Sequence, residues 1–375
     1  MTNIKRIISE KKIAIVHDAL LEDGGSERVL LALSEILPKA GIYTSLVNTD
    51  TQTYKKLKKR IKRIWSNNPL LAYRASYFKP FINLYWENLD LTGYDLVISS
   101  SHSFSSKSIV TGPDTVHVCY CYTPPKFLYP ELAETDVNNK AFQSIKRIVY
   151  SPMRNYDFVA AQRPDFFIAI SREVQSRINK YYRRNSVLIY PPVPVPPTPP
   201  RRRKIKNYYM LISRLYKVKG VDLAIDTFNQ LKKNLVIVGV GNELGRLRKK
   251  AGKNIIFKGY LDENIKIAYL KQAKALIFPS IDEDFGIVPA EAMAQGVPVI
   301  ALFSGGTKET VADGKTGIFF HEFNQKALVG AVKRFETMNF DPNTCYKQAK
   351  KFSEDRFEKE IRKFLQGAIN EKVKI

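Results

Sequence analysis

The sequence predicts an α/β protein of two Rossmann-like, doubly wound domains facing each other across a cleft, and three observations predict it. Short apolar runs alternate with helical patterns along the whole chain, as in parallel sheets covered by helices. At 375 residues the chain is long enough for two domains of ordinary size. Between Tyr190 and Pro200 seven of eleven residues are proline (YPPVPVPPTPP), which neither a helix nor a central strand accommodates. That stretch reads as a semi-rigid extended linker. The expected domains are therefore 1–195 and 200–352, with a last helix at about 353–375 expected to cross back onto the first domain.

Each element follows in order. The first half opens on an apolar strand, Lys12 to Val16, ending at His17-Asp18. A turn with Gly24-Gly25 follows, and Ser26 is expected to cap a helix through ERVLLALSEIL. Strand, glycine turn and helix make the opening unit of a doubly wound sheet. Further strands are expected at 95–99, 115–120 and 165–170. The run KKLKKRIKRIW at 55–65 places Leu57, Ile61, Ile64 and Trp65 on one helical face among cations, a pattern suited to a helix lying on an anionic bilayer. The second half repeats the design, with strands at 209–213, 235–239, 254–259 and 275–280 separated by helical stretches. Gly239-x-Gly241 lacks a third glycine at dinucleotide spacing and carries little weight alone.

The most informative segment is EDFGIVPAEAMAQGVPVIA, 283–301. Glu283 and Glu291 stand eight positions apart around Phe285-Gly286-Ile287. Pro289 is expected to open a short helix that Gly296 closes. One carboxylate then sits in the loop and the other in the first helical turn, with free N–H groups between them as a phosphate site. Each carboxylate accepts two hydroxyl hydrogen bonds, so the geometry suits a sugar diol on either side of a diphosphate.

Composition sets the bounds. The chain carries 60 basic and 36 acidic side chains, a net charge of +24, which favours phosphate-rich partners such as a nucleotide or an anionic membrane. No helix-turn-helix, zinc-finger or RNA-binding aromatic motif is present, so no nucleic-acid partner is expected. No apolar run approaches the roughly 18 residues of a membrane span, and the N-terminal residues lack the apolar core of a signal peptide. A cytoplasmic protein, peripheral at the inner face of the cell membrane, is expected. Cys119, Cys121 and Cys345 have neither disulfide nor zinc spacing and read as buried thiols. His117, along a strand, reads as a core histidine.

These residues resemble the retaining glycosyltransferases of family 4 (group 1), which have the GT-B fold. The resemblance is carried by LISRLYKVKG, VGVGNE, FKGYLDE, FPSIDEDFGIVPAEAMAQGVPVIA, GGTKETVADGKTG and FSEDRF in the second half. In the first half HDALLEDGGSERV, YDLVISSSHSFSSK, HVCYCYTPPKFLY, RPDFFIAIS and YPPV resemble the mannosyltransferase-like branch of O-antigen and polysaccharide assembly. The resemblance implies that Glu291 binds the nucleotide ribose and Glu283 the donor sugar, with the Phe285-Gly286-Ile287 backbone facing sugar and phosphate. It gives Arg214 and Lys219 the donor diphosphate, and it makes the Gly24-Gly25 turn the first-domain loop near the diphosphate and the acceptor. Where the branch usually reads His-Thr-Pro, this chain has Tyr122-Thr123-Pro124, so Tyr122 stands at the place of a histidine expected to touch the sugar. His102 is counted with the substrate-binding residues.

The reaction that the resemblance implies moves a hexose, by the branch resemblance mannose from GDP-mannose, to a hydroxyl of a saccharide or lipid-linked saccharide, with retention. Catalysis would rest on positioning and electrostatics. Asp282-x-Asp284 sits after a second-domain strand and reads as a solvated loop, so no metal and no cofactor are expected. A sugar-nucleotide 2-epimerase of the same architecture and a non-catalytic nucleotide-sugar-binding homologue are the alternatives.

Overall fold

The computed structural model describes residues 10–68, 75–103, 105–129, 140–200 and 204–372, with the side chains of 75–80 and 140–149 outside that description. Arg201, Arg202 and Arg203, which follow the proline run, lie outside the described residues. The chain divides into two compact units, Met1–Pro192 with Asp355–Ile375, and Val193–Glu354.

The first unit is a seven-stranded sheet: β1 Ile13–Leu20, β2 Gly41–Val47, β3 Ile61–Arg63, β4 Leu96–Ser101, β5 Val116–Cys121, β6 Phe166–Ala169 and β7 Val187–Leu188. Its spatial order is β3-β2-β1-β4-β5-β6-β7, and every ladder is parallel. Parallel strands are covered on both faces, which is why β1 is buried along its whole length and reads as an apolar run. The order reverses between β1 and β4, so the residues following these two strands meet at a topological switch point. The helix Glu354–Lys372 belongs mostly to this unit. Phe357, Ile361, Leu365, Ala368 and Ile369 recur at helical spacing and are buried. Phe357 meets the Tyr120 ring edge-on at 6.0 Å, and Lys372 Nζ donates to Thr115 O at 2.6 Å and pairs with Asp165 at 2.8 Å.

The second unit has six strands: β8 Tyr209–Ile212, β9 Leu235–Val238, β10 Ile255–Gly259, β11 Leu276–Phe278, β12 Val299–Leu302 and β13 Gly317–Phe320. The order β10-β9-β8-β11-β12-β13, again all parallel, puts its switch point between β8 and β11. Apolar clusters cover both faces of this sheet. Leu211, Ile237 and Ile277 project into one, while Met210, Val236 and Leu276 project into the other, as the two-residue period of a strand requires. Among the described residues no helix is long and apolar enough to cross a membrane. All three cysteines are buried, and among the described residues none forms a disulfide.

Two local expectations are corrected, and a third gains detail. The basic run 55–65 is not one helix: the helix Gln52–Leu57 stops, and Ile61–Arg63 pairs with β2 as an edge strand. The reason is tertiary. Arg60 turns its guanidinium onto the carbonyls of Ser34, Leu37 and Ala40 at 2.7–2.8 Å, closing the end of the helix Gly25–Ile36. Those charge-assisted bonds satisfy orphan carbonyls that helical periodicity in 55–65 cannot reach. Second, Gly24 rather than Ser26 caps the helix Gly25–Ile36. Glu27, third in the helix, reaches back to the Gly24 N–H at 3.1 Å, the carboxylate half of a capping box. Third, the proline run, expected as a semi-rigid extended linker, forms neither helix nor strand and is tied to the second unit from Val193 on. Val193 N donates to Phe352 O at 2.8 Å, and Pro196 O accepts from Tyr346 Oη at 2.8 Å, which stitches this stretch to the second unit.

His117 is a core histidine, as its place on a strand suggested. It is fully buried, with Nε2 2.9 Å from Ser99 Oγ, and Nδ1 has no hydrogen-bond partner among the described residues. Burial pushes its imidazole down to about 3, with the cationic Lys372, Arg163 and Arg184 adding to the effect against Asp165. The unfolded chain binds this proton near the ordinary histidine pKa of about 6.5 and the folded chain does not. The stability contribution is therefore complete above about pH 6.5 and is lost as pH falls toward 3, with a slope approaching 1.4 kcal/mol per pH unit. Urea unfolding from pH 4 to 8 is expected to show the stability difference between wild type and His117→Gln shrinking as pH falls. A difference that stays constant with pH contradicts this assignment.

Candidate functional site

The second unit carries its candidate site residues in the segments that follow β8 and β11. After β8 the chain runs through Arg214 to a single 3₁₀ turn, Lys217–Lys219, and then Gly220, which caps the helix Val221–Leu231. Lys219 Nζ lies 2.9 Å from Glu283 Oε2, and Ser280 Oγ donates to the same oxygen at 2.9 Å. Both members of the Lys219–Glu283 pair are partly buried, which reduces solvent screening of their charges. Arg214, five residues before Lys219 on the same loop, is exposed and lies 5.7 Å from the Tyr216 ring centroid.

The loop carrying Glu283 is held from behind. Gly306 N donates to Glu283 O at 2.6 Å, and Asp282 N to Ser304 Oγ at 3.0 Å. A Cβ added at Gly305 would come 2.2 Å from Glu283 O, and one at Gly306 would come 2.4 Å from Phe285 Cα. Only glycines permit that approach. The Phe285 side chain is buried and meets the Phe352 ring edge-on at 5.2 Å, so it anchors the loop, leaving its backbone as the part able to face a ligand. Gly239 and Gly241 prove to be packing glycines: a Cβ at either would run into Ser213 O or Leu215 O.

Gly286, at φ +88°, caps the helix Ile287–Ala294. The helix therefore begins two residues before Pro289, which stands third in it rather than first. A proline is tolerated there because the first four N–H groups have no intrahelical partner. Glu291 moves correspondingly into the second turn. It is buried, and Lys266 Nζ stands 3.4 Å from its Oε2 and 2.8 Å from Glu263 Oε2. Lys266 is a partner that the sequence did not suggest, because it comes from the helix Glu263–Gln272 and carries no motif of its own.

The first unit assembles a second cluster at the ends of β1, β4 and β5. Asp18 accepts from the backbone N–H groups of His102 and Ser106, both at 2.7 Å, and so fixes the loop after β4. Exposed His102 has Nδ1 2.6 Å from Ser103 Oγ. Tyr122 lies behind the surface, 6% exposed, with its hydroxyl 2.8 Å from Ser100 Oγ and donating to Ser26 O at 3.0 Å. Burial pushes this phenol well above its ordinary range, so it is a neutral hydrogen-bond donor. His17, which was not expected at the site, joins the same cluster with Nδ1 3.0 Å from Ser100 Oγ.

Two parallel α/β sheets, each with a topological switch point, are the architecture of a GT-B protein. The Glycosyltransferase Family 4 model matches residues 23–215, and the model for glycosyl transferases group 1 matches 198–352. The chain belongs to glycosyltransferase family 4. An uncharacterized glycosyltransferase of Methanocaldococcus jannaschii is 25% identical over 179 residues, covering 45% of this chain and about half (49%) of its own length. The alpha-1,3/1,6-mannosyltransferase of Candida glabrata is 24% identical over 392 residues, 86% of this chain and 81% of that protein. Among solved structures, Anabaena HepE in complex with UDP and glucose superposes with a TM-score of 0.69 at 18% identity, covering 95% of this chain and 99% of that one. That likeness speaks for the fold.

Proposed function

We propose that this protein is a retaining hexosyltransferase that takes mannose from GDP-mannose and delivers it to a hydroxyl of a saccharide or lipid-linked saccharide. The observation that carries the reading is the paired Lys219 and Glu283 beside the amino end of the helix bearing Glu291. Helix amino ends favour phosphate oxygens, and Lys219 with Arg214 supplies the counter-charge for a diphosphate that gains negative charge as it leaves. Glu291, kept beside Lys266, accepts the two ribose hydroxyls, and Glu283 accepts those of the sugar. The leaving phosphate oxygen takes the acceptor proton on the same face, so no protein nucleophile and no metal are required. Support for mannose comes from the mannosyltransferase relative that aligns along most of the chain, and support for a nucleotide site from the UDP-bound structural neighbour.

A lipid-linked acceptor fits the net charge of +24 and the exposed Lys55, Lys56, Lys58, Lys59, Lys62 and Arg63, which run from the helix Gln52–Leu57 to the edge strand β3. Since Leu57 is buried and 55–65 is not one helix, attraction to an anionic bilayer would be electrostatic, not insertive. This charge supports a reading in which the protein works at the cytoplasmic face of the membrane. Proton NMR of GDP-mannose incubated with protein and methyl α-mannoside tests the reaction. An α-linked disaccharide is expected. A β-linked product contradicts retention, and conversion of the donor to another sugar nucleotide without acceptor identifies an epimerase.

A further inference from the structure

The segment Gly24–Ser26, the capping glycine and the first two residues of the helix Gly25–Ile36, is gripped from two sides by buried polar groups, and counting protons gives the grip a direction. The hydroxyl proton of Tyr122 goes to Ser26 O at 3.0 Å. At the 2.8 Å contact with Ser100, Tyr122 Oη must therefore accept, and the proton of Ser100 is spent there. Ser100 Oγ, 3.0 Å from His17 Nδ1, can then only accept, so the His17 ring carries a proton on Nδ1. The other ring nitrogen faces Glu27 Oε1 at 3.9 Å. The Oε2 of Glu27 accepts from Gly24 N at 3.1 Å and from Ser26 Oγ at 2.8 Å. The chain thus runs from His17 on β1, through Ser100 on β4 and Tyr122 after β5, to the Ser26 carbonyl, while Glu27 holds the segment's donors. His17, Ser100, Tyr122 and Glu27 are each 6% exposed or less.

Buried polar chains are costly unless complete, and a complete one holds its members in a single arrangement. Here the element so held is the amino end of the helix Gly25–Ile36 at a topological switch point, where backbone position decides what a ligand meets.

We propose that His17, Ser100 and Tyr122 are positioning residues: they set the Gly24–Ser26 segment for the acceptor and do not themselves touch the sugar. This rests on the transferase reading above. Tyr122 in this chain is then a strut for that segment and not a sugar contact.

The test pairs Tyr122→Phe, which keeps the ring and removes both hydroxyl bonds, with His17→Gln. Hydrogen exchange is followed on peptides covering Gly24–Arg28, alongside GDP-mannose binding and transfer to methyl α-mannoside. In both variants the Gly24–Arg28 amides are expected to exchange at least about tenfold faster, with β1 and β4 as protected as in wild type. The KM for acceptor is expected to rise about tenfold, with the Kd for GDP-mannose within twofold of wild type. Unchanged exchange in both variants overturns the proposal. So does a loss of donor affinity equal to the loss of turnover, which marks a general structural role. If wild type binds no nucleotide sugar, the functional reading fails, while the exchange experiment still judges the grip on the segment.

Discussion

Lys219→Ala is expected to lower kcat by about 10²–10³, the loss typical of removing one preorganised charge from a site of developing negative charge. The lysine is already fixed on Glu283, so little reorganisation is needed when the diphosphate arrives. Glu283→Ala is expected to be comparably damaging, because it removes the proposed hydrogen-bond acceptor for the sugar hydroxyls and releases both Lys219 and Ser280. Residues that act as a unit are not additive, so Lys219→Ala/Glu283→Ala is expected to cost little more than the worse single change. Steady-state kinetics on the three variants checks this. Single variants with a kcat within twofold of wild type, or a double variant with the full product of both losses, contradict it.

The second large effect is on stability. Lys107 and Asp157 form an ion pair in the first unit with both side chains essentially without solvent contact. Tyr129 Oη donates to Asp157 Oδ2 at 2.8 Å, and Lys107 Nζ lies 5.1 Å from the Tyr182 ring centroid. Burial alone would pull the lysine pKa down, but Asp157 more than offsets it and holds the ammonium above its ordinary value. Lys107→Met leaves a buried carboxylate without its counter-charge, at a cost of about 3–5 kcal/mol. Removing both charges in Lys107→Met/Asp157→Leu is expected to recover most of that loss, since an apolar pair of similar volume often matches a buried ion pair. Urea midpoints at unchanged m-value measure both. A double variant as unstable as the single one contradicts the account.

Much of this was legible in the sequence for a physical reason. Parallel strands are buried on both faces, so β1, β9 and β11 announce themselves as apolar runs. Glu283 and Glu291 were legible because one loop and one short helix fix their relation locally. What was not legible depends on partners distant in the chain. Arg60 breaks the helical reading of 55–65 by capping carbonyls some twenty residues earlier. Lys266 reaches Glu291 from another helix, and Gly305 and Gly306 matter only because a second loop lies against them. The departure at Tyr122 was visible, but the direction of its hydroxyl was not. That direction depends on Ser26, ninety-six residues away.

The central claim is that the second unit holds a nucleotide-diphosphate sugar between the Lys219–Glu283 pair and Glu291. Thermal shift across a panel of nucleotide sugars, with Glu291→Ala as control, tests it most directly. GDP-mannose is expected to raise the wild-type melting temperature in a concentration-dependent manner, with the shift largely lost in Glu291→Ala. A wild-type protein that no nucleotide sugar stabilises, or a Glu291→Ala variant stabilised as fully as wild type, contradicts the claim.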